Sequence, residues 1–458
     1  MRLAQFAGKK VAIWGLGREG RAVLELLRQR LPGLCLSVVN DTPLEPEARA
    51  SLPEDGSVRL LSGPEAPDAL PRFDVVIKSP GISRYRSEVR AARAQGVIFT
   101  SATQIWFAEH PEARTVCVTG TKGKSTTASL IAHLLAASGL TAELRGNIGR
   151  PLLDSAPVAA GAVWVIEISS YQAAELDVSP DVAVLLNLFP EHLDWHGDVE
   201  TYYRDKLRLF AGQRRGMAVI NRTDEVSARF TSVFTHPVWF NDPQGFHVAR
   251  GFLCERRRRL LPVARILLPG AHNHSNVCAA LTAVGCLGID AATCVDAVAS
   301  FRGLPHRLFV LGEKAGILWV DDSISTTPQS ARAAVETFAD RPLSILLGGY
   351  ERNLPYEELG RFLASKPVET VITMPQNGPR IAETVREAKR RAGRRERPEV
   401  LEAESLTQAV ELARQVTPAG GVVVLSPAAP SYGGFRDYRE RGEAFARAAG
   451  FRVDTPGT

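Results

Sequence analysis

Thr119-Gly120-Thr121-Lys122-Gly123-Lys124-Ser125-Thr126 follows the apolar run Thr115–Thr119 and opens the Ala/Leu-rich stretch Ser125–Ser138. A strand that feeds a glycine turn and then a helix gathers backbone N–H groups and the positive helix end around one point. That point suits an anion. Lys124 is placed to reach the β- and γ-phosphates of a nucleotide, and the Ser125 hydroxyl to hold Mg²⁺. The spacing departs from the common phosphate loop, because Gly120 stands three residues before Gly123 rather than five. A glycine turn with a chance lysine is the alternative, and the strand–loop–helix context speaks against it.

The same alternation extends in both directions. Short β-branched runs alternate with Ala/Leu/Arg-rich stretches along the 458 residues, the pattern of a parallel α/β sheet. It restarts three times, which matches the length at roughly 100–200 residues per domain. The segments are 1–102, 103–304 and 305–458. Strands are expected at Val11–Trp14, Leu34–Asn40 and Asp74–Lys78 in the first, and at Thr115–Thr119, Val163–Ile168 and Val182–Leu188 in the second. Ile317–Asp321, Leu343–Leu347, Thr370–Thr373 and Gly421–Leu425 are expected in the third.

Composition is that of a globular chain, with 45% hydrophobic and 23% charged residues and a net charge of +5. No apolar run reaches the roughly 18 residues of a membrane span, and Met1–Lys10 has no signal-peptide core. The expectation is a cytoplasmic protein. The six cysteines form no CxxC pair and read as reduced thiols. Two basic runs, Arg256–Arg259 and Lys389–Arg397, lack aromatic company and read as solvated faces rather than a nucleic-acid site.

Two further constellations carry chemistry. Gly15-Leu16-Gly17-Arg18-Glu19-Gly20 follows the first strand and fits GxGxxG, with Asp41 at the end of the next strand. It reads as a tight βα turn or as a site for a phosphorylated ligand. Downstream of the phosphate loop, Glu167 closes an apolar strand, where a carboxylate typically anchors Mg²⁺. Taken alone, His192 reads as structural, Lys206 as a surface helix lysine and His133 as a core histidine.

In order along the chain stand Gly120–Thr126, Arg145-Gly-Asn147-Ile-Gly149, Glu167-Ile-Ser169-Ser170-Tyr171-Gln172 and Glu191-His192-Leu-Asp194. His272-Asn273 with Asn276, Gly303-Leu-Pro-His306-Arg307, Asp322-Ser323 and the tail from Ser426 to Gly442 follow. This series resembles the Mur ligases, and among them the glutamate-adding MurD type. The resemblance implies three domains: an N-terminal Rossmann-like domain for a UDP moiety, a central P-loop ATPase domain with a parallel sheet, and a C-terminal Rossmann-like domain for the incoming amino acid. It implies ATP-dependent joining of a carboxylate to an amine through an acyl phosphate, in peptidoglycan synthesis.

The resemblance also assigns residues. Gly120, Thr121, Lys122, Gly123, Lys124, Ser125 and Thr126 serve ATP, together with Asn273, Asn276, Arg307 and Asp322. Ser125, Glu167, His192 and a carbamylated Lys206 serve two Mg²⁺ ions. Lys124, His192, Lys206 and Asn147 are the catalytic set. Gly15, Leu16, Gly17, Arg18, Asp41, Thr42 and Ser79 line the uridine site, with Asn147, Ser169 and His192 toward the substrate carboxylate. Thr326, Arg352, Ser431 and Tyr438 face the amino acid. The implied partners are small molecules, namely UDP-N-acetylmuramoyl-L-alanine, glutamate and ATP, bound by a monomer without nucleic acid or membrane.

The third segment departs from the family. The D-glutamate-adding members carry Asp-Ser-Lys-Ala-Thr where this chain has Asp322-Ser323-Ile324-Ser325-Thr326, and a lysine where it has Arg352. Ile324 cannot pair with a carboxylate, and a guanidinium prefers bidentate contacts. These segments resemble a subgroup that adds L-glutamate, so L-glutamate is expected, with D-glutamate as the alternative. Rival readings are a folylpolyglutamate synthase, an NAD-dependent oxidoreductase using Gly15–Gly20, a non-catalytic nucleotide-gated protein and another Mur ligase.

Overall fold

Val11 and Ile13 pack to one side of their strand, Ala12 and Trp14 to the other, and both sides are buried. A strand buried on both faces belongs inside a parallel sheet with helices above and below. The computed structural model describes residues 1–50, 52–53, 55–156, 158–211, 216–393 and 397–452, which fold into four sheets.

The first sheet contains β1 (Lys10–Trp14), β2 (Cys35–Asn40), β3 (Val58–Ser62), β4 (Val75–Lys78) and β5 (Ile98–Thr100). All pairs are parallel, and the order is β3-β2-β1-β4-β5. The strand order reverses at β1 and β4, and the crevice beyond their C-terminal ends is where such sheets take ligands. Gly15–Gly20 follows β1 and Ser79 follows β4.

The second sheet contains β6 (Thr115–Thr119), β7 (Ala142–Gly146), β8 (Val163–Glu167), β9 (Val182–Leu185), β10 (Met217–Asn221) and β11 (Pro237–Phe240). It is parallel throughout, in the order β11-β10-β9-β6-β8-β7. Its switch point is β6, and the phosphate loop leaves from there. The third sheet is a small antiparallel one of β12 (Phe246–Ala249), β13 (Phe252–Glu255) and β14 (Arg258–Pro262). The exposed run Arg256–Arg259 turns its last corner.

The chain divides into two compact units, Met1–Val263 with Ser275–Val298, and Ala264–His274 with Ala299–Thr458. The first unit holds the first two large sheets. One hydrophobic core runs from Val11 and Ile13 through Ile105 and Trp106 to Ile166, Tyr202 and Phe210, so the two sheets share buried apolar surface. The second unit holds β15 (Phe309–Lys314), β16 (Ile317–Asp321), β17 (Leu343–Leu347), β18 (Val368–Thr373), β19 (Glu399–Glu402) and β20 (Val422–Leu425). Their order is β15-β16-β20-β17-β18-β19, parallel except for β15 against β16. Ile345, Leu347 and Val424 face one core, and Leu346, Val423 and Leu425 the other.

The strands stand within two residues of the sequence expectation, except that β9 ends at Leu185 and not Leu188. Leu186 and Asn187 turn out of the sheet to support the phosphate loop: the amides of Thr121 and Lys122 donate to the Asn187 carbonyl and Oδ1, at 3.0 and 2.9 Å. Of the second basic run, residues 394–396 lie outside the described residues. Arg390, Arg391 and Arg397 pair with Glu383, Glu387 and Glu369. Five cysteines are buried or half-buried, Cys35 is exposed, and all six are free.

Candidate active site

The helix Lys124–Ala137 starts at Gly123, whose φ of +87° only glycine adopts without strain. A Cβ at Gly123 would also lie 2.5 Å from Asn276 Oδ1. The loop is thus pressed against the Asn276 side chain, with its free N–H groups at the helix start. Lys124 folds back, its Nζ donating to the carbonyls of Gly120 at 3.1 Å and Thr121 at 2.9 Å. These are carbonyls that phosphate oxygens can replace as partners of the ammonium.

Lys206 corrects its surface reading. It is 1% exposed, on the helix Val199–Ala211, and donates to the same Gly120 carbonyl at 2.9 Å. Burial and the nearby Lys124 charge push its amine well below the usual lysine range, although Glu191 and Glu167 act the other way.

Glu167 closes β8 beside β6 and is 1% exposed. Its Oε1 accepts from Asn147 Nδ2 at 2.7 Å, while its buried Oε2 meets no hydrogen-bond donor. An anionic oxygen held dry without a partner fits a cation. Ser169 caps the short helix after it and exchanges hydrogen bonds with Gln172.

His192 sits at φ +55°, half-exposed, with its ring 5.0 Å from that of Tyr171. Its Nε2 lies 3.7 Å from Glu191, which also pairs with Lys122. Partial burial, then Lys124, Lys122 and Lys206, hold the imidazole below its ordinary value, against Glu191. A neutral imidazole is the form that binds a metal. Ser125 opens the helix next to Lys124, and Thr126 is buried behind it. No cluster of three His, Cys, Asp or Glu side chains suited to a metal occurs among the described residues. His133 is half-buried and bonds to the Ala297 carbonyl, away from the loop.

In the first sheet, Asp41 accepts from Trp14 Nε1 at 2.8 Å and pairs with Arg86, which lies over the Trp14 ring. Thr42 is exposed beside it, and Ser79 Oγ donates to the Gly15 carbonyl at 2.7 Å. Leu16 is buried, Gly17 is exposed, and Arg18 donates to carbonyls of the 146–149 turn.

In the second unit, Asp322 is 3% exposed, and its carboxylate accepts from the Leu308 amide, Ser325 and Ser426. Burial raises its pKa to about 6. Arg307 is exposed, and Asn273 donates to the Pro269 carbonyl. Ser431 lines a cavity of about 210 Å³ with Gly349, Gln376, Tyr432 and Arg441. The structure does not bring Thr326, the exposed Arg352 or Tyr438 into that lining; the Tyr438 ring packs edge-on against His306. Arg441, 1% exposed, ties Ser323, Ala429 and Pro430 together.

Sequence reasoning missed a hydrogen-bond chain beside Lys206 that starts at exposed Tyr85 and runs inward through buried Asp205, His196 and Ser170. Tyr85 donates to Asp205 at 2.7 Å, Asp205 meets His196 Nδ1 at 2.7 Å, and His196 Nε2 meets Ser170 Oγ at 3.0 Å. The only signal was an aspartate directly before Lys206 in a half-apolar helix.

The chain is similar to known proteins along almost its whole length. Family models described as Mur ligase MurD-like N-terminal domain, Mur ligase middle domain and Mur ligase glutamate ligase domain match residues 9–101, 118–284 and 306–429. A protein of Xanthomonas euvesicatoria pv. vesicatoria named UDP-N-acetylmuramoyl-L-alanine–L-glutamate ligase is 44% identical, over 98% of this chain and 97% of its own. One of the same name from a Micromonospora species is 40% identical, over 98% of both chains. The crystal structure of the UDP-N-acetylmuramate–alanine ligase MurC of Thermotoga maritima shares the fold, at a TM-score of 0.56 and 19% identity, over 96% of this chain and 98% of that one. By its three matched domains and its full-length relatives, the chain belongs to the Mur ligase family.

Proposed function

We infer that the chain is an ATP-dependent ligase that joins L-glutamate to UDP-N-acetylmuramoyl-L-alanine in peptidoglycan precursor synthesis. The observation that carries the reading is the meeting of Lys124 and buried Lys206 on one carbonyl, Gly120, with the unanswered Oε2 of Glu167 at the end of the neighbouring strand. The L-enantiomer is supported by the names of the relatives and by Ile324 and Arg352, which stand where the D-glutamate-adding members carry lysines.

A carboxylate and an ammonium do not condense unaided in water. The substrate carboxylate first takes the terminal phosphoryl group of ATP. The neutral amine of glutamate then attacks the acyl carbon and phosphate departs. The protein's part is positioning and charge stabilisation. Gly120–Thr126 and Asn276 cradle the ATP phosphates, and Lys124 exchanges its two loop carbonyls for phosphate oxygens. Asn273, Arg307 and Asp322 complete the nucleotide set. Ser125, Glu167, His192 and Lys206 would hold Mg²⁺, which would neutralise phosphate charge. Burial that pushes the Lys206 amine below the usual lysine range favours the uncharged form, the one that adds CO₂ with release of a proton, and the carbamate oxygen is a ligand Mg²⁺ prefers. Asn147 and Ser169 orient the acyl group. Gly15–Arg18, Asp41, Thr42 and Ser79 take the UDP part, and Thr326, Arg352, Ser431 and Tyr438 the glutamate. Segments 1–102, 103–304 and 305–458 are the UDP, ATP and amino-acid domains of a cytoplasmic monomer.

The test is phosphate release from ATP with each substrate omitted in turn. Release should require UDP-N-acetylmuramoyl-L-alanine and glutamate together. Equal release without the UDP compound would overturn the reading.

A further inference from the structure

Two neighbouring charges in the first glycine loop reach into the second sheet. Arg18 donates to the carbonyls of Gly146 at 3.2 Å, Asn147 at 3.1 Å and Gly149 at 3.1 Å. Glu19 Oε1 accepts from Gln172 Nε2 at 2.8 Å. Each contact ends one step from a group assigned to acyl activation. Asn147 donates through its amide to the Glu167 carbonyl and through Nδ2 to Glu167 Oε1. Gln172 Oε1 accepts from the Ser169 amide at 2.9 Å and its hydroxyl at 3.0 Å. The second oxygen of Glu19 is buried without a partner, so desolvation is tolerated to keep this contact. A guanidinium that spans three carbonyls of one turn fixes that turn far better than a single donor.

We propose that Arg18 and Glu19 are positioning residues that strut the Gly15–Gly20 loop against the Asn147 turn and the Ser169–Gln172 cap. Contacts of the UDP moiety with the loop then set the geometry at which the substrate carboxylate is activated. The proposal rests on the ligase reading for its chemistry but not for its geometry.

Two measurements separate them. In amide hydrogen exchange on the free full-length protein, Arg18→Ala should speed exchange in residues 144–150 by about tenfold or more, the signature of lost local protection. Glu19→Ala should do the same over 168–173. Parent-like exchange in both variants would overturn the strut. In turnover, Arg18→Ala should lower kcat by roughly 30-fold with the KM for ATP changed less than about twofold, as expected when a transition-state alignment is lost. Arg18→Lys should recover part of the rate. Glu19→Gln, which can still accept from Gln172, should stay near the parent while Glu19→Ala falls about tenfold. A rise in the KM for the UDP substrate at unchanged kcat would make Arg18 a plain ligand contact and overturn the proposal. A parent protein inactive on the UDP substrate would overturn the ligase reading instead, and the exchange result would still decide the strut.

Discussion

The two glycine loops of the first unit are built alike but differ in charge: Arg18 and Glu19 offset each other in the first, while Lys122 and Lys124 stand together in the second. Each leaves the switch strand of a parallel sheet and opens a helix of 13 or 14 residues. Each needs glycine for a close approach: a Cβ at Gly20 would stand 2.2 Å from the Gly15 carbonyl, and one at Gly123 would stand 2.5 Å from Asn276. Yet the helix after Gly17 opens with Arg18 and Glu19, both turned to partners outside the loop, Arg18 to the carbonyls of 146–149 and Glu19 to Gln172, whereas Lys124 opens the helix after Gly123 and folds back over its own loop. A carboxylate near a helix start disfavours a bound phosphate and a guanidinium spent on protein carbonyls cannot answer one, whereas a lysine over the loop reinforces it. Backbone geometry alone would make both loops phosphate sites; the side chains assign terminal phosphates to one and leave the other to a ligand read by shape and polar contacts.

The largest expected effect falls on the charged loop. Lys124→Ala removes the cation at the β- and γ-phosphates and should lower turnover by at least about a hundredfold, with the thermal unfolding midpoint little changed. More than about a tenth of the parent rate would undo the assignment of that loop. Lys206→Ala should be nearly inactive, and short carboxylic acids in solution should restore part of the rate by supplying the missing anionic oxygen. Parent-like activity would remove Lys206 from the metal site.

Equivalent substitutions in the two loops sharpen the contrast. Gly123→Ala meets both strain and Asn276, so the KM for ATP should rise by roughly tenfold or more with the UDP-substrate KM little changed. A Cβ at Gly17 meets nothing within 4 Å, so Gly17→Leu should leave the fold and the ATP KM intact and raise only the UDP-substrate KM. Steady-state titration of each substrate checks both, and equal weakening of both substrates by either variant would break the division of labour.

The smallest effect is on stability. Burial raises the Glu19 carboxyl above its ordinary value, against the Gln172 hydrogen bond and the charges of Arg18 and Lys78. Its contribution is complete below about pH 4.5, the unfolded value, and is lost as pH rises through the folded one. Glu19→Gln removes that loss. Urea midpoints should therefore shift in favour of the variant as pH rises from about 4 to about 7, and a constant difference would contradict a buried, costly carboxylate.

Much of this was readable before any coordinates. β1, β6 and β16 announce themselves because strands covered on both faces are short, unbroken apolar runs. Gly120–Lys124 is legible because a phosphate site is local, made by a dozen consecutive residues. The depth of Lys206 was not, since a lysine on an amphipathic helix reads as solvent-facing unless the residues packed over it are known. Tyr85, His196 and Asp205 are polar residues up to 120 positions apart, and only the fold makes them a relay. Arg18 reads from the sequence only as part of the uridine site and Glu19 as a loop residue, because the partners of both lie more than 120 residues away.

The most direct test of the account supplies L- and D-glutamate at equal concentration with ATP and UDP-N-acetylmuramoyl-L-alanine, follows phosphate release, and resolves the glutamate of the product by chiral chromatography. The account predicts product containing L-glutamate, with phosphate release that depends on it. Turnover with D-glutamate equal to or above that with L-glutamate would contradict it.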